Sequence, residues 1–230
     1  MSGHMVILPV LVPFFTGSAL ILLALRRIEA QRAVSLAGVV LLLALSAWLV
    51  GTADRGATLV YRLGDWPAPF GIVLVLDRLS ALMVLLTSVI ALFSLLHAVQ
   101  GEDAAGPLYH SLFQFQLVGL NGAFLTGDLF NLFVFFEILL IASYCLLVHG
   151  STGPRLRAGV HYVVLNLAGS ALFLIAVGTL YGVTGTLNMA DMALKVALLG
   201  PADAALVRAA ALLLLIVFAL KAALIPLYFW

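Results

Sequence analysis

The stretch LFNLFVFFEILLIASYCLLVH, running from Leu129 to His149, decides how the rest of the chain is read. It has the length of a membrane-crossing helix, which needs about 20 mostly apolar residues. Apolar and polar residues do not alternate in it, as they would in a barrel strand. A single charge, Glu137, sits near its middle. Working outward, six further runs have the same character: Val6–Leu25, Ala33–Val50, Leu79–Val99, Tyr109–Thr126, Ala158–Gly182 and Ala205–Phe229. The expected fold is all-α, a polytopic transmembrane bundle of about seven spanning helices. It fills residues 1–230 as one membrane domain with no soluble domain.

Composition agrees. The chain is 64% hydrophobic and 9% charged, with a mean hydropathy of +1.22, whereas soluble domains are about 25% charged. The net charge of +1 excludes a strongly basic nucleic-acid binder. The first run is followed, not preceded, by arginines (Arg26, Arg27, Arg32), which does not suit a cleaved secretory signal. The single cysteine, Cys145, can form neither an internal disulfide nor a metal cluster alone and is expected to be a small buried side chain. P-loop, G-x-G-x-x-G, H-E-x-x-H, C-x-x-C and G-x-S-x-G patterns are missing, so no nucleotide, haem, iron–sulfur cluster or other cofactor is expected.

The joins are short except Thr52–Gly71, where Tyr61 and Trp66 suit an interfacial aromatic belt. Between the sixth and seventh runs, Thr186–Leu199 differs. Asn188, Asp191 and Lys195 form a polar stripe, Leu187, Ala190, Leu194 and Leu198 an apolar one, and Asp191 and Lys195 are a favourable i,i+4 pair. A short interfacial helix is expected there. Basic residues divide evenly between the two sides, so charge counting does not decide the orientation; the arginines in short, tight joins favour an outside N-terminus weakly. Apolar sequence continues to Trp230 with no polar tail, so the chain is expected to be the front part of a longer polypeptide.

Two charges are not at run ends: Glu137, and Lys221 inside Ala205–Phe229. A charge at the bilayer centre costs about 2.5–3.5 kcal/mol on insertion scales. It persists where pairing, a wet cavity or a changed protonation state offsets that cost. A glutamate facing a lysine is a switchable proton site, because the carboxyl takes up a proton when the cation leaves; the same pair could instead be a static clamp between helices. Tyr144, seven residues after Glu137, shares its helix face, and Asn131 lies on another. Pro226 removes the helical partner of the Ala222 carbonyl if the helix continues past it. Gln114 with Asn121, and Asn166 with Ser170, are same-face polar pairs that either glue helices together or line a water path. His161, in the first turn of its run, is a candidate proton relay. His97, His110 and His149 read as interfacial. Asp128 reads as a helix cap, and Asp77-Arg78 as a helix start or a local ion pair.

The segment from Gly122 to Glu137, GAFLTGDLFNLFVFFE, closely resembles the D subunit of the Mrp-type multisubunit cation/proton antiporters. Leu180–Asn188 (LYGVTGTLN) and Lys221–Trp230 (KAALIPLYFW) resemble it too, and the likeness runs over essentially the whole chain. The superfamily includes antiporter-like membrane subunits of respiratory complex I and of membrane-bound hydrogenases. The resemblance implies that Glu137 and Lys221 are the family's fifth-helix glutamate and seventh-helix lysine, the pair that gates proton movement. It also implies about fourteen helices in two inverted repeats, so this chain is expected to stop after the seventh and to lack the second repeat. The expected function is that of a proton-translocating subunit, or fragment of one, in a sodium/proton antiporter: a secondary transporter, not an enzyme, in the cell (inner) membrane. Its partners would be the other antiporter subunits, lipid, protons and sodium. The alternatives are a proton-pumping membrane subunit of an NADH–quinone oxidoreductase or hydrogenase, and a structural or assembly subunit without transport of its own.

Overall fold

The computed structural model describes residues 3–24, 27–56 and 58–228. Leu25, Arg26, Phe229 and Trp230, on which parts of the sequence reading fall, lie outside the described residues. Within them, a 3-10 turn (Gly3–Ile7) leads into α1 (Leu8–Leu22). There follow α2 (Ile28–Asp54), β1 (Leu59–Arg62), β2 (Val73–Leu76), α3 (Arg78–Ala98), α4 (Tyr109–Leu125), α5 (Leu129–Leu147), α6 (Gly153–Thr184), α7 (Met189–Val196) and α8 (Pro201–Lys221). Six of these stretches are long and apolar enough to cross a membrane. The seventh expected span, α4, has 17 residues, the lower end of the usual range. The chain is a multi-pass membrane protein built as a helical bundle.

The order of packing is set by short joins, which make sequence neighbours antiparallel. Helix α1 packs on α2 and α4, α2 on α3, α4 on α5, α5 on α6, and α6 on α8. The N-termini of α2, α4 and α6 and the C-termini of α3 and α5 therefore share one face. Small residues allow the tightest of these contacts. A Cβ at Gly119 would meet Leu139 Cβ at 2.5 Å, and one at Gly122 would collide with the Phe135 ring. Side-chain amides hold helices together, once at a break in the helical bonding. Pro13 inside α1 leaves the Pro9 carbonyl without its helical N–H, and Asn121 Nδ2 donates to that oxygen at 2.8 Å. Gln114 Nε2 donates to the Ser35 carbonyl at 3.1 Å. Both amides are fully buried; of the two readings, Gln114 and Asn121 are interhelical glue.

Capping residues fix the helix starts. Asp77 and Ser80 make a reciprocal capping box on α3, and the Asp77 carboxyl is held below its ordinary value chiefly by the Ser80 N–H. Arg78 pairs with Asp54 instead, at 3.7 Å and in the open. The Asp128 carboxylate accepts from the Asn131 N–H at 2.8 Å, while burial pushes its pKa up. Asn188 caps α7, so the interfacial helix begins at Met189 and not at Thr186, and the Asp191–Lys195 pair closes at 3.1 Å.

Three expectations are corrected. The long join contains an antiparallel hairpin, with Leu59 opposite Leu76 and Arg62 opposite Val73. Its second strand continues into the α4–α5 turn through Gly127 N–H to Val73 O, and that turn is fastened to the α6–α7 turn by Leu129 N–H to Leu187 O, both at 2.9 Å. The last span is Pro201–Lys221 rather than Ala205–Phe229, so Pro226 removes no helical bond. Cys145 is exposed on the described chain, where it lines an open groove between α5 and α6 with Val148, Leu156 and Val160.

Candidate functional site

Glu137 lies eight residues into α5 and ten from its end, about 12 Å and 15 Å from the two termini at 1.5 Å per residue. That is mid-depth for a hydrocarbon layer of about 30 Å. Ser170 sits in the middle of the long helix α6 and meets Glu137 there, its Oγ donating to Oε1 at 2.5 Å. Helix α8 runs back along α6 and ends at Lys221, whose Nζ donates to Ser170 Oγ at 3.4 Å and lies 5.3 Å from the centre of the Phe136 ring. Lys221 is thus at the end of its helix and still at the depth of Glu137, because α8 is shorter than the helix it packs on.

The structure brings the two predicted charges together, but through a third group. No direct ion pair joins Glu137 to Lys221 among the described residues; the Ser170 hydroxyl stands between them. Neither is fully enclosed by this chain: both are half-buried, whereas Ser170 is 5% exposed. An apolar wall backs the group. Phe136, Phe173 and Phe218 meet edge to face, with centroids 5.8 to 6.4 Å apart, and extend into the cluster of Leu129, Val177, Leu214 and Val217.

On the same seam, towards the α6 N-terminus, Tyr144 and Tyr162 pack edge to face at 5.4 Å. The Tyr144 hydroxyl is buried with no partner among the described residues. Asn166, four residues before Ser170, donates to the Tyr162 carbonyl at 3.0 Å. It bonds within its own helix, while Ser170 reaches across. His161 is exposed on α6, nine residues and about 13 Å of helix from Ser170; it does not join the Glu137 group.

Sequence reasoning missed a second charged cluster. Asp103, in the α3–α4 join, accepts from Arg32 Nε at 2.7 Å and Nη2 at 2.8 Å, and meets His110 Nε2 at 3.1 Å. The Asp103 side chain is 0% exposed, that of His110 1% and that of Arg32 29%. The guanidinium first, and then His110, hold the Asp103 carboxyl below the ordinary carboxylate value. His110 is therefore a buried member of a charged group, not an interfacial side chain. The available signal was topological: the α2 N-terminus and the α3–α4 join fall on one face, and opposite charges stand there. Glu102 beside it pairs with Arg155 at 3.3 Å, which ties the same join to α6. A groove of about 860 Å³ between β2, α3 and α7, with Met83, Phe124 and Leu194 on its walls, contains none of the predicted site residues.

Residues 126–230 match the family model described as "NADH:quinone oxidoreductase/Mrp antiporter, TM". Over 99% of its length the chain is 50% identical to the probable K(+)/H(+) antiporter D subunit of Rhizobium meliloti (strain 1021), covering 43% of that protein. It is 46% identical to the Na(+)/H(+) antiporter D subunit of Alkalihalophilus pseudofirmus, again over 99% of this chain and 46% of the relative. A chain in the structure of the Mrp complex from Dietzia sp. DQ12-45-1b superposes with a TM-score of 0.89 and 34% identity, over 99% of this chain and 42% of that one. The resemblance to the antiporter D subunit read from the segment through Glu137 is borne out. The chain spans a little under half the length of these relatives.

Proposed function

We propose that this chain is the proton-handling part of a D-type component in a multisubunit monovalent cation/proton antiporter, with Glu137 the carboxylate that takes up the proton and Lys221 its electrostatic switch. The observation that carries the reading is the Glu137–Ser170–Lys221 group at mid-membrane depth. An ionisable pair there is costly, and a pair meant only to clamp helices would be expected in direct, enclosed contact. Here the ammonium is held loosely, at 3.4 Å from a hydroxyl. When Lys221 stays, the carboxylate is favoured; when it leaves, the carboxyl binds a proton.

The relatives' names supply the coupled ion. One is named for potassium and another for sodium, so the sodium of the sequence reading is one member of a monovalent pair. The chain acts as a transporter subunit, with other antiporter subunits as partners and no chemical catalysis of its own. The test uses inverted vesicles from cells without their own antiporters, carrying the complete complex. A pH gradient is established, and sodium, potassium or choline is added. Collapse with sodium or potassium and not with choline is the expected result; no response to either metal ion rejects antiport.

A further inference from the structure

A hydroxyl in an apolar helix ordinarily bonds back to a carbonyl of the preceding turn. Thr16, Thr87, Ser88 and Thr179 do so here. Ser170 does not: its hydroxyl crosses to α5 and donates to Glu137, while its oxygen faces Lys221 from α8. Gly169 makes this meeting possible. A Cβ there would come within 2.8 Å of Leu220 Cδ2, so its lack of a side chain lets the end of α8 approach.

We propose that Ser170 is the positioning residue of the pair: it fixes the Glu137 carboxylate and passes protons between Lys221 and Glu137, so that the two charges work through its hydroxyl and not by direct contact. The inference rests on the proton-switch reading of Glu137 and Lys221. In the relay, an N–H bond of the Lys221 ammonium breaks as its proton bonds to Ser170 Oγ. The proton already on Oγ moves to Glu137 Oε1. The serine ends as it began, ammonium and carboxylate become amine and carboxylic acid, and the net charge is unchanged. The two contacts are unequal. At 2.5 Å the Glu137 bond is at the short end for O–H···O, whereas 3.4 Å is beyond the usual range for N–H···O. The joint that opens is therefore the lysine's, and the Phe136 ring 5.3 Å from Nζ offers the ammonium a weak cation–π contact beside it.

The test separates the hydroxyl from packing, because the two roles rank the variants in opposite order. Ser170→Ala keeps the volume and removes the hydroxyl; Ser170→Thr keeps the hydroxyl and adds a methyl group at a 5% exposed position. Both are made in the complete complex, with membrane levels matched, and cation-driven collapse of the pH gradient is followed against Glu137→Gln. The expected result is a loss of about tenfold or more for Ser170→Ala, the scale of one charge-assisted hydrogen bond, with the apparent cation affinity unchanged. Ser170→Thr should recover at least half of the wild-type rate. Wild-type exchange in Ser170→Ala, or a Ser170→Thr worse than Ser170→Ala, overturns the inference and leaves the Glu137 reading standing. Full exchange in Glu137→Gln overturns both.

Discussion

Asp103→Ala is expected to lower the amount of folded chain in the membrane, at a cost of about 3 kcal/mol. Breaking one side of a buried charge pair costs more than the pair contributes, because the remaining charge loses its partner. Asp103 is wholly enclosed, and its loss strands Arg32 and leaves His110 without the carboxylate at Nε2; His110 Nδ1 already has no partner among the described residues. The figure is set toward the low end because Arg32 keeps 29% exposure, and water recovers part of its solvation. Asp103→Asn should be milder, since an amide still accepts one bond. The readouts are the membrane level of the chain and its melting temperature in detergent; wild-type values for Asp103→Ala would show that the cluster does not hold the join. The pH dependence has a definite sign. The Asp103 carboxyl is held below its ordinary value, so its contribution is fully present above about pH 4, the unfolded carboxylate value. It is lost only as pH falls through the lower, folded value. Between neutral and alkaline pH this carboxylate gives no change in melting temperature.

Lys221→Ala is expected to assemble and to slow exchange by about 100-fold or more, the scale of a lost proton-transfer group. Its ammonium contacts one hydroxyl at 3.4 Å and one ring face, so little packing depends on it. The informative companion is Lys221→Arg. Arginine keeps the charge but does not release a proton in a protein. If Lys221 acts only as a fixed positive charge, Lys221→Arg exchanges normally; if its proton moves, Lys221→Arg fails as Lys221→Ala does. Failure of both is expected.

How much of this was legible in the sequence depends on which force sets each feature. The spanning helices follow from the need to satisfy backbone groups in lipid, and hydropathy reports that directly; the helix starts at Asp77 and Asp128 are local and equally readable, whereas Asn188 was read as part of a helical stripe and is the cap of α7. The end of α8 was not. Residues 222–228 stay largely apolar, and Pro226 fits either a broken helix or a helix end, so the sequence does not mark Lys221 as the last helical residue. The hairpin of Leu59–Arg62 with Val73–Leu76 is too short for a periodicity to stand out. In the candidate site, Glu137 and Lys221 were visible because charge is rare at that depth. Ser170 was read only as the same-face partner of Asn166, either glue or the lining of a water path; its bridge to Glu137 was not visible, because a serine that crosses between helices looks in sequence like the several hydroxyls that bond to their own. The Arg32–Asp103–His110 cluster was hidden for a different reason: its members are 71 and seven residues apart, and each alone resembles a solvated helix end.

The most direct measurement compares wild type with Glu137→Gln in inverted vesicles carrying the complete complex at matched membrane levels, following collapse of an imposed pH gradient on adding sodium or potassium. Glutamine keeps the shape and can still accept the Ser170 hydroxyl, but it cannot take up a proton. If Glu137 is the proton carrier, wild type collapses the gradient and the variant leaves it intact. Collapse by Glu137→Gln at the wild-type rate would contradict that role and make the group a structural one.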